Sequence, residues 1–126
     1  MGRPVVKHLH LASSDHAATA AFYERYFGFA FQKVFERGAG QPAATIIRGP
    51  ERFQVFLEAA TSSLALPAWF HFGFLVPEAE CRELHARMTE DGVPITRPLV
   101  DAPFLNFFCA DPDGHEVQVY ADLAEL

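Results

Sequence analysis

The stretch "DPDGHEVQVY", residues 111–120, reads as a tight turn feeding a strand. Asp, Pro and Gly supply the turn chemistry. Successive strand side chains then point to opposite faces, so Val117 and Val119 lie on one face and Glu116, Gln118 and Tyr120 on the other. A glutamine stands mid-strand, opposite the apolar row. The same pattern occurs earlier, in "RFQVFLEA" over 52–59, where Phe53, Val55 and Leu57 oppose Gln54, Phe56 and Glu58. That recurrence opens the reading of the whole chain.

Several other landmarks repeat at nearly one offset. His8 and His71 lie 63 positions apart (71 − 8), as do Asp15 and Glu78, while Gly28 and Gly92, and Gln54 and Gln118, lie 64 apart (92 − 28). Around them the chain reads as strand 5–12, helix 16–27 and strands near 29–36, 43–48 and 52–59. After the loop "TSSLALPA" come strand 69–76, helix 78–90 and strands near 94–100, 104–109 and 115–121. Each half is βαβββ, and the shared order marks an internal duplication. Glycine just past a helix suits a left-handed cap, and Asp15 is a suitable N-cap. Pro94 and Pro98 would interrupt a central ladder, which puts their strand at a sheet edge. The fold class expected is α+β: two tandem βαβββ modules, about 1–60 and 69–126 of a single domain, forming cupped mixed sheets with the helices on the outer face.

The helices are amphipathic. Cys81, Leu84, His85 and Met88 follow helical spacing, and Phe22, Tyr23, Tyr26 and Phe27 form an aromatic stripe, both read as core. Half the 126 residues are hydrophobic and 13 are Phe, ample for a packed interior. A net charge of −6 argues against nucleic-acid partners and anionic membrane surfaces. No apolar run approaches the ~20 residues of a membrane span, and "MGRPVVKHLHLASSD" does not read as a signal peptide. Cys81 and Cys109 read as buried free thiols in a reducing cytoplasm, which is the expected location.

Strand parity collects His8, Gln54, His71 and Gln118 on the faces the helices leave open. His10, Phe56, Phe104, Asn106, Phe108 and Tyr120 share those faces, giving aromatic walls with a few polar groups, as suits a small organic ligand. No bound nucleic acid or membrane is expected.

Three segments carry a resemblance: "HLHLASSDHAATAAFYERYFGF" (8–29), "FHFGFLVPEAE" (70–80) and "DPDGHEVQVYAD" (111–122). With the element order, they resemble the vicinal oxygen chelate superfamily of glyoxalase I, extradiol dioxygenases, and fosfomycin- and bleomycin-resistance proteins. Typical of that family are a strand His, an Asp seven residues on, then Phe-Tyr and Gly-Phe. The resemblance implies a divalent-metal site (Zn, Ni, Mn or Fe) with His8 and His71 as ligands, Gln118 at the eighth-strand ligand position, and Gln54 as a further ligand position. It also implies a homodimer, the concave site of short members often being built from modules of two chains.

The familiar ligand set has carboxylates where this chain has Gln54 and Gln118. Amide oxygens can ligate a cation, but they bring no charge, so weak binding is expected. Glutamine is also no base near neutral pH, which disfavours ordinary glyoxalase I chemistry. Glu58, Glu116 and His10, each roughly 7 Å along a strand from a ligand position, are the candidates for catalytic base or substitute ligand. Two functions follow. One is a metal-assisted lyase, isomerase or dioxygenase-like enzyme acting on a small organic molecule. The other is a metal-free binder of a drug or aromatic molecule, of the bleomycin-resistance type.

Overall fold

The computed structural model describes residues 2–60 and 66–122. The chain divides into two compact units, Met1–Leu64 and Ala65–Leu126.

In the first unit, β1 (His8–Ser13) leads through α1 (His16–Phe27) to β2 (Ala30–Phe35), β3 (Ala44–Arg48) and β4 (Gln54–Ala59). In the second, β5 (Phe72–Leu75) leads through α2 (Glu78–Glu90) to β6 (Ile95–Val100), β7 (Leu105–Ala110) and β8 (Glu116–Ala121). The sheet orders are β1-β4-β3-β2 and β5-β8-β7-β6. In each sheet the first strand lies parallel to the last, and the remaining pairs are antiparallel. This is the expected α+β fold of two βαβββ modules.

Local chemistry explains the ends of the elements. Asp15 caps α1, its Oδ1 accepting from the Ala18 N–H at 3.1 Å. Gly28 closes that helix at φ 71°, a left-handed conformation that an L side chain resists. β6 is an edge strand carrying Pro98 within a register irregularity, as a proline in a ladder requires. The turn before β8 is built around Asp111, whose Oδ1 accepts from the Asp113 and His115 N–H groups, both at 2.9 Å.

Alternation decides what is buried. Val55 and Leu57 of β4, and Val117 and Val119 of β8, are buried, while Gln54, Phe56, Glu58, Gln118 and Tyr120 are half-buried. The apolar rows meet the helices: α1 buries Phe22, Tyr23, Tyr26 and Phe27, and α2 buries Cys81, Leu84 and Met88. The Cys81 thiol points at the Val119 carbonyl, 3.8 Å away. Burial raises the thiol pKa values, that of Cys109 to about 12, so neither cysteine is primed as a nucleophile.

Two sequence expectations need correction. The strand expected over 69–76 is confined to Phe72–Leu75, because the chain turns just before it: the Phe70 N–H donates to the Pro67 carbonyl at 2.9 Å. His71 therefore sits one residue ahead of the strand. The two repeat offsets also cannot both hold in the sheets. His8 stands opposite Gln54, but the residue opposite Gln118 is Gly73, two beyond His71. Parallel register is fixed by backbone hydrogen bonds, and counting along the sequence misses it. Of the loop "TSSLALPA", residues 61–65 lie outside the described residues.

Candidate functional site

On the open face of the first unit, His8 and His10 project from β1 beside Phe56 of β4. The His10 ring stacks on Phe56 with centroids 4.5 Å apart and planes 22° apart. The His8 ring lies 5.3 Å from His10 and 5.5 Å from Phe56, and Phe35 closes the cluster at 5.9 Å from Phe56. Beside it, Glu58 is fully engaged. Arg37, in the β2–β3 connection, donates to both carboxylate oxygens at 2.6 Å, and His10 Nδ1 donates to Oε2 at 2.6 Å. The Arg37 guanidinium, and after it His10, hold the Glu58 carboxyl down to about 2 against the opposing effect of burial. So low a pKa makes Glu58 a poor general base. It serves instead to orient His10: a carboxylate only accepts, so Nδ1 of His10 carries a proton and, in the neutral ring, Nε2 is the nitrogen with the lone pair.

Gln54, opposite His8, donates through Nε2 to Gln32 Oε1 at 2.8 Å. Gln32 falls at the register irregularity of β2, between Phe31 and Lys33, which frees its side chain to reach across the sheet.

The open face of the second unit holds His71, Phe108, Gln118, Asn106, Phe104 and Tyr120. His71 Nδ1 donates to the Trp69 carbonyl at 2.8 Å, so in the neutral ring Nε2 is the nitrogen with the lone pair. Its ring meets Phe108 edge-on at 4.9 Å, and Phe108 is the cross-strand partner of Gln118. Gln118 Nε2 donates to Asn106 Oδ1 at 3.2 Å, and Asn106 Nδ2 donates to the Phe104 carbonyl at 3.0 Å. Gly73 has no side chain, and the Tyr120 ring takes the space: a Cβ there would come within 3.1 Å of Tyr120 Cε1. Glu116 is bound by Thr96 Oγ1 at 2.8 Å and Arg97 at 3.0 Å, and Arg97 lies 4.3 Å over the Phe108 ring.

The polar candidates thus fall into two groups, His8, His10, Gln54 and Glu58 in one unit and His71, Gln118 and Glu116 in the other. Among the described residues of either unit, no three His, Cys, Asp or Glu side chains cluster as a metal-binding group. Sequence reasoning missed Arg37, Gln32, Thr96 and Arg97. Arg37 sits 21 positions before Glu58 in a connection between strands, and no periodicity relates the two. His16 proves structural, tying α1 to Thr45 Oγ1 at 2.8 Å and the Glu58 carbonyl at 3.2 Å. His85 packs against Phe107 at 5.0 Å.

The Glyoxalase/Bleomycin resistance protein/Dioxygenase superfamily matches this chain over residues 5–119. The chain belongs to that superfamily. Among solved structures, a "possible Glyoxalase from Bacillus cereus" is 26% identical with a TM-score of 0.74, the match covering 92% of this chain and 97% of the other. A Glu-to-Gln mutant of the fosfomycin resistance protein FosX from Listeria monocytogenes, complexed with Mn(II) and 1S,2S-dihydroxypropylphosphonic acid, gives a TM-score of 0.80 at 18% identity, over 99% and 97% of the two chains. The trypanothione-dependent glyoxalase I of Leishmania major gives 0.74 at 16% identity, over 98% and 90%. At those identities the last two establish likeness of fold. No curated protein matches significantly.

Proposed function

We propose that this superfamily member acts in the cytoplasm on a small organic molecule held on its open sheet faces, with His8 and Gln54 of the first unit and His71 and Gln118 of the second as the divalent-cation ligands. The observation that carries the reading is the orientation of the donors. His71 has Nδ1 tied to a backbone carbonyl, and Gln118 has its NH₂ tied to Asn106. Each therefore offers the atom a cation requires, an imidazole Nε2 and an amide oxygen. The donors fit a cation of the Mn²⁺ or Zn²⁺ type, which accepts imidazole and carbonyl ligands. Such a cation, when bound, supplies Lewis acidity toward adjacent substrate oxygens.

The protein residues define the rest. Phe56 with Phe35 in one unit, and Phe108 with Phe104 and Tyr120 in the other, supply aromatic walls. Glu58 and Glu116 are engaged by arginines and do not serve as the base. His10, with Nδ1 held by Glu58 and Nε2 available, is the side chain placed to accept a substrate proton.

The uncharged ligand set favours a second reading, a metal-free binder of an aromatic or drug-like molecule, in which the same groups donate and accept hydrogen bonds. Metal analysis of protein purified without chelator separates the two. About one equivalent of a transition metal per site supports the first reading, and protein free of metal that also fails to bind added Mn²⁺ or Zn²⁺ supports the second.

The protein is further proposed to act as a homodimer. The edge strand β2 exposes Phe31 at 61% and Val34 at 49%, unpaired apolar surface that a second copy would cover. A monodisperse monomer at micromolar concentration would sink this point.

A further inference from the structure

We infer that Asn106 is a positioning residue for Gln118: it fixes the glutamine amide with its carbonyl oxygen turned to the cation, and it selects an amide over a carboxylate at that position. The inference rests on the ligand reading of Gln118 proposed above. Its starting point is a group whose role is not reversible. The Phe104 backbone carbonyl can only accept, so the amide atom of Asn106 lying 3.0 Å from it is the NH₂. The other end of the Asn106 amide, Oδ1, then faces Gln118 at 3.2 Å. Oδ1 is itself an acceptor, so Gln118 must present its NH₂, and its Oε1 is left as the outward atom. Among the described residues no donor reaches that Oε1.

Asn106 is buried, only 8% exposed, so water does not readily substitute for either bond. A glutamate at 118 would set its oxygens against Oδ1. Turning Asn106 over would only move the clash to the Phe104 carbonyl. Either arrangement leaves two acceptors facing each other in a half-buried place. The Phe104 carbonyl just ahead of β7 therefore dictates, through Asn106, that position 118 be an amide.

The first unit lacks this device. Gln54 meets Gln32, and two amides joined only to each other can turn over together with no loss. No backbone group anchors the pair, so position 54 carries no comparable preference.

The test is a double-mutant cycle read by Mn²⁺ affinity, using calorimetry on the full chain with Mn²⁺ alone. The proteins are the parent, Asn106→Ala, Gln118→Glu and the double variant. In the parent background Gln118→Glu is expected to change affinity less than about threefold, because the added charge is offset by the mismatch with Asn106. In the Asn106→Ala background, where water can reach the carboxylate, the same change is expected to tighten binding about tenfold or more. An equal factor in both backgrounds overturns the positioning role. A second measurement needs no metal: in ¹⁵N-labelled protein the Gln118 side-chain NH₂ should show a proton protected from exchange, with protection lost in Asn106→Ala. An unprotected NH₂ in the parent also overturns the inference. Unchanged Mn²⁺ affinity in Gln118→Ala would instead overturn the ligand reading beneath it, and the metal-free NH₂ measurement keeps the two failures apart.

Discussion

The first unit places two histidines and an arginine-bound carboxylate around Phe56, while the second places one histidine and an anchored pair of amides around Phe108. The backbone path is the same in both, strand order included. What differs is which side chains are held by groups that cannot change role. In the second unit two backbone carbonyls, of Trp69 and Phe104, fix the orientation of His71 and, through Asn106, of Gln118. In the first, the fixed element is Glu58, which orients His10, while Gln54 rests on another reversible amide. The duplicated fold thus holds its polar side chains differently in its two units, through backbone carbonyls in the second and through an arginine-bound carboxylate in the first. Each contrast can be pressed by substitution.

The largest expected effect separates the histidines. His71→Ala should weaken Mn²⁺ binding about 100-fold, close to 2.7 kcal/mol, whereas His10→Ala should change it less than about threefold. The single tryptophan, Trp69, is a convenient reporter, since its own carbonyl holds His71. Quenching of its fluorescence along a Mn²⁺ titration gives the affinity of each variant. Greater loss from His10→Ala would show that the wrong histidine has been assigned as the ligand.

Next in size is the carboxylate contrast. Glu58 is held at about 2, below its ordinary value of 4.5. A carboxyl depressed in the folded state contributes stability that is complete above its unfolded pKa and is lost as the pH falls through the folded one. The contribution should therefore fade between about 4.5 and 2. Partly exposed ion pairs are screened by solvent, so Glu58→Gln should cost only about 1 kcal/mol at pH 7 and nothing at pH 2. Glu116→Gln, which breaks one arginine contact and one threonine bond without a bidentate fork, should cost less. Urea unfolding of both variants at pH 7 and pH 3 makes the comparison, and a larger loss from Glu116→Gln would reverse it.

The smallest effect concerns the place where His8 has no counterpart. Gly73→Ala puts a methyl 3.1 Å from the Tyr120 ring, whose outer edge can yield, so about 0.5 kcal/mol is expected. Gly73→Ala combined with Tyr120→Leu should recover it. A loss above about 2 kcal/mol would mean that Tyr120 is rigidly held in this unit.

Much of the fold could be read from the chain because its signals are local. Helices 16–27 and 78–90 follow from spacing, Asp15 and the terminal glycines, and they are observed with those bounds. Alternation assigned Gln54, Phe56 and Glu58 to one face of β4, and Gln118 and Tyr120 to one face of β8, as their burial shows. Register was not legible. The row opposite Gln118 is settled by parallel pairing between strands more than 40 residues apart, so His71 was aligned with His8 although Gly73 holds that row. Partners supplied by connections were equally invisible. Nothing in "ERGAGQP" (36–42) signals that Arg37 neutralises Glu58, and nothing in the strand pattern reveals that Asn106 leans on the Phe104 carbonyl.

The central claim, that His71 and Gln118 present preset donors to a cation, is tested most directly by adding substoichiometric Mn²⁺ to ¹⁵N-labelled protein and following side-chain resonances. Paramagnetic broadening should fall on the imidazole nitrogens of His8 and His71 and on the Gln118 amide, and should spare His16 and His85. Broadening confined to His16, His85 or surface carboxylates, or none at one equivalent of Mn²⁺, would contradict it.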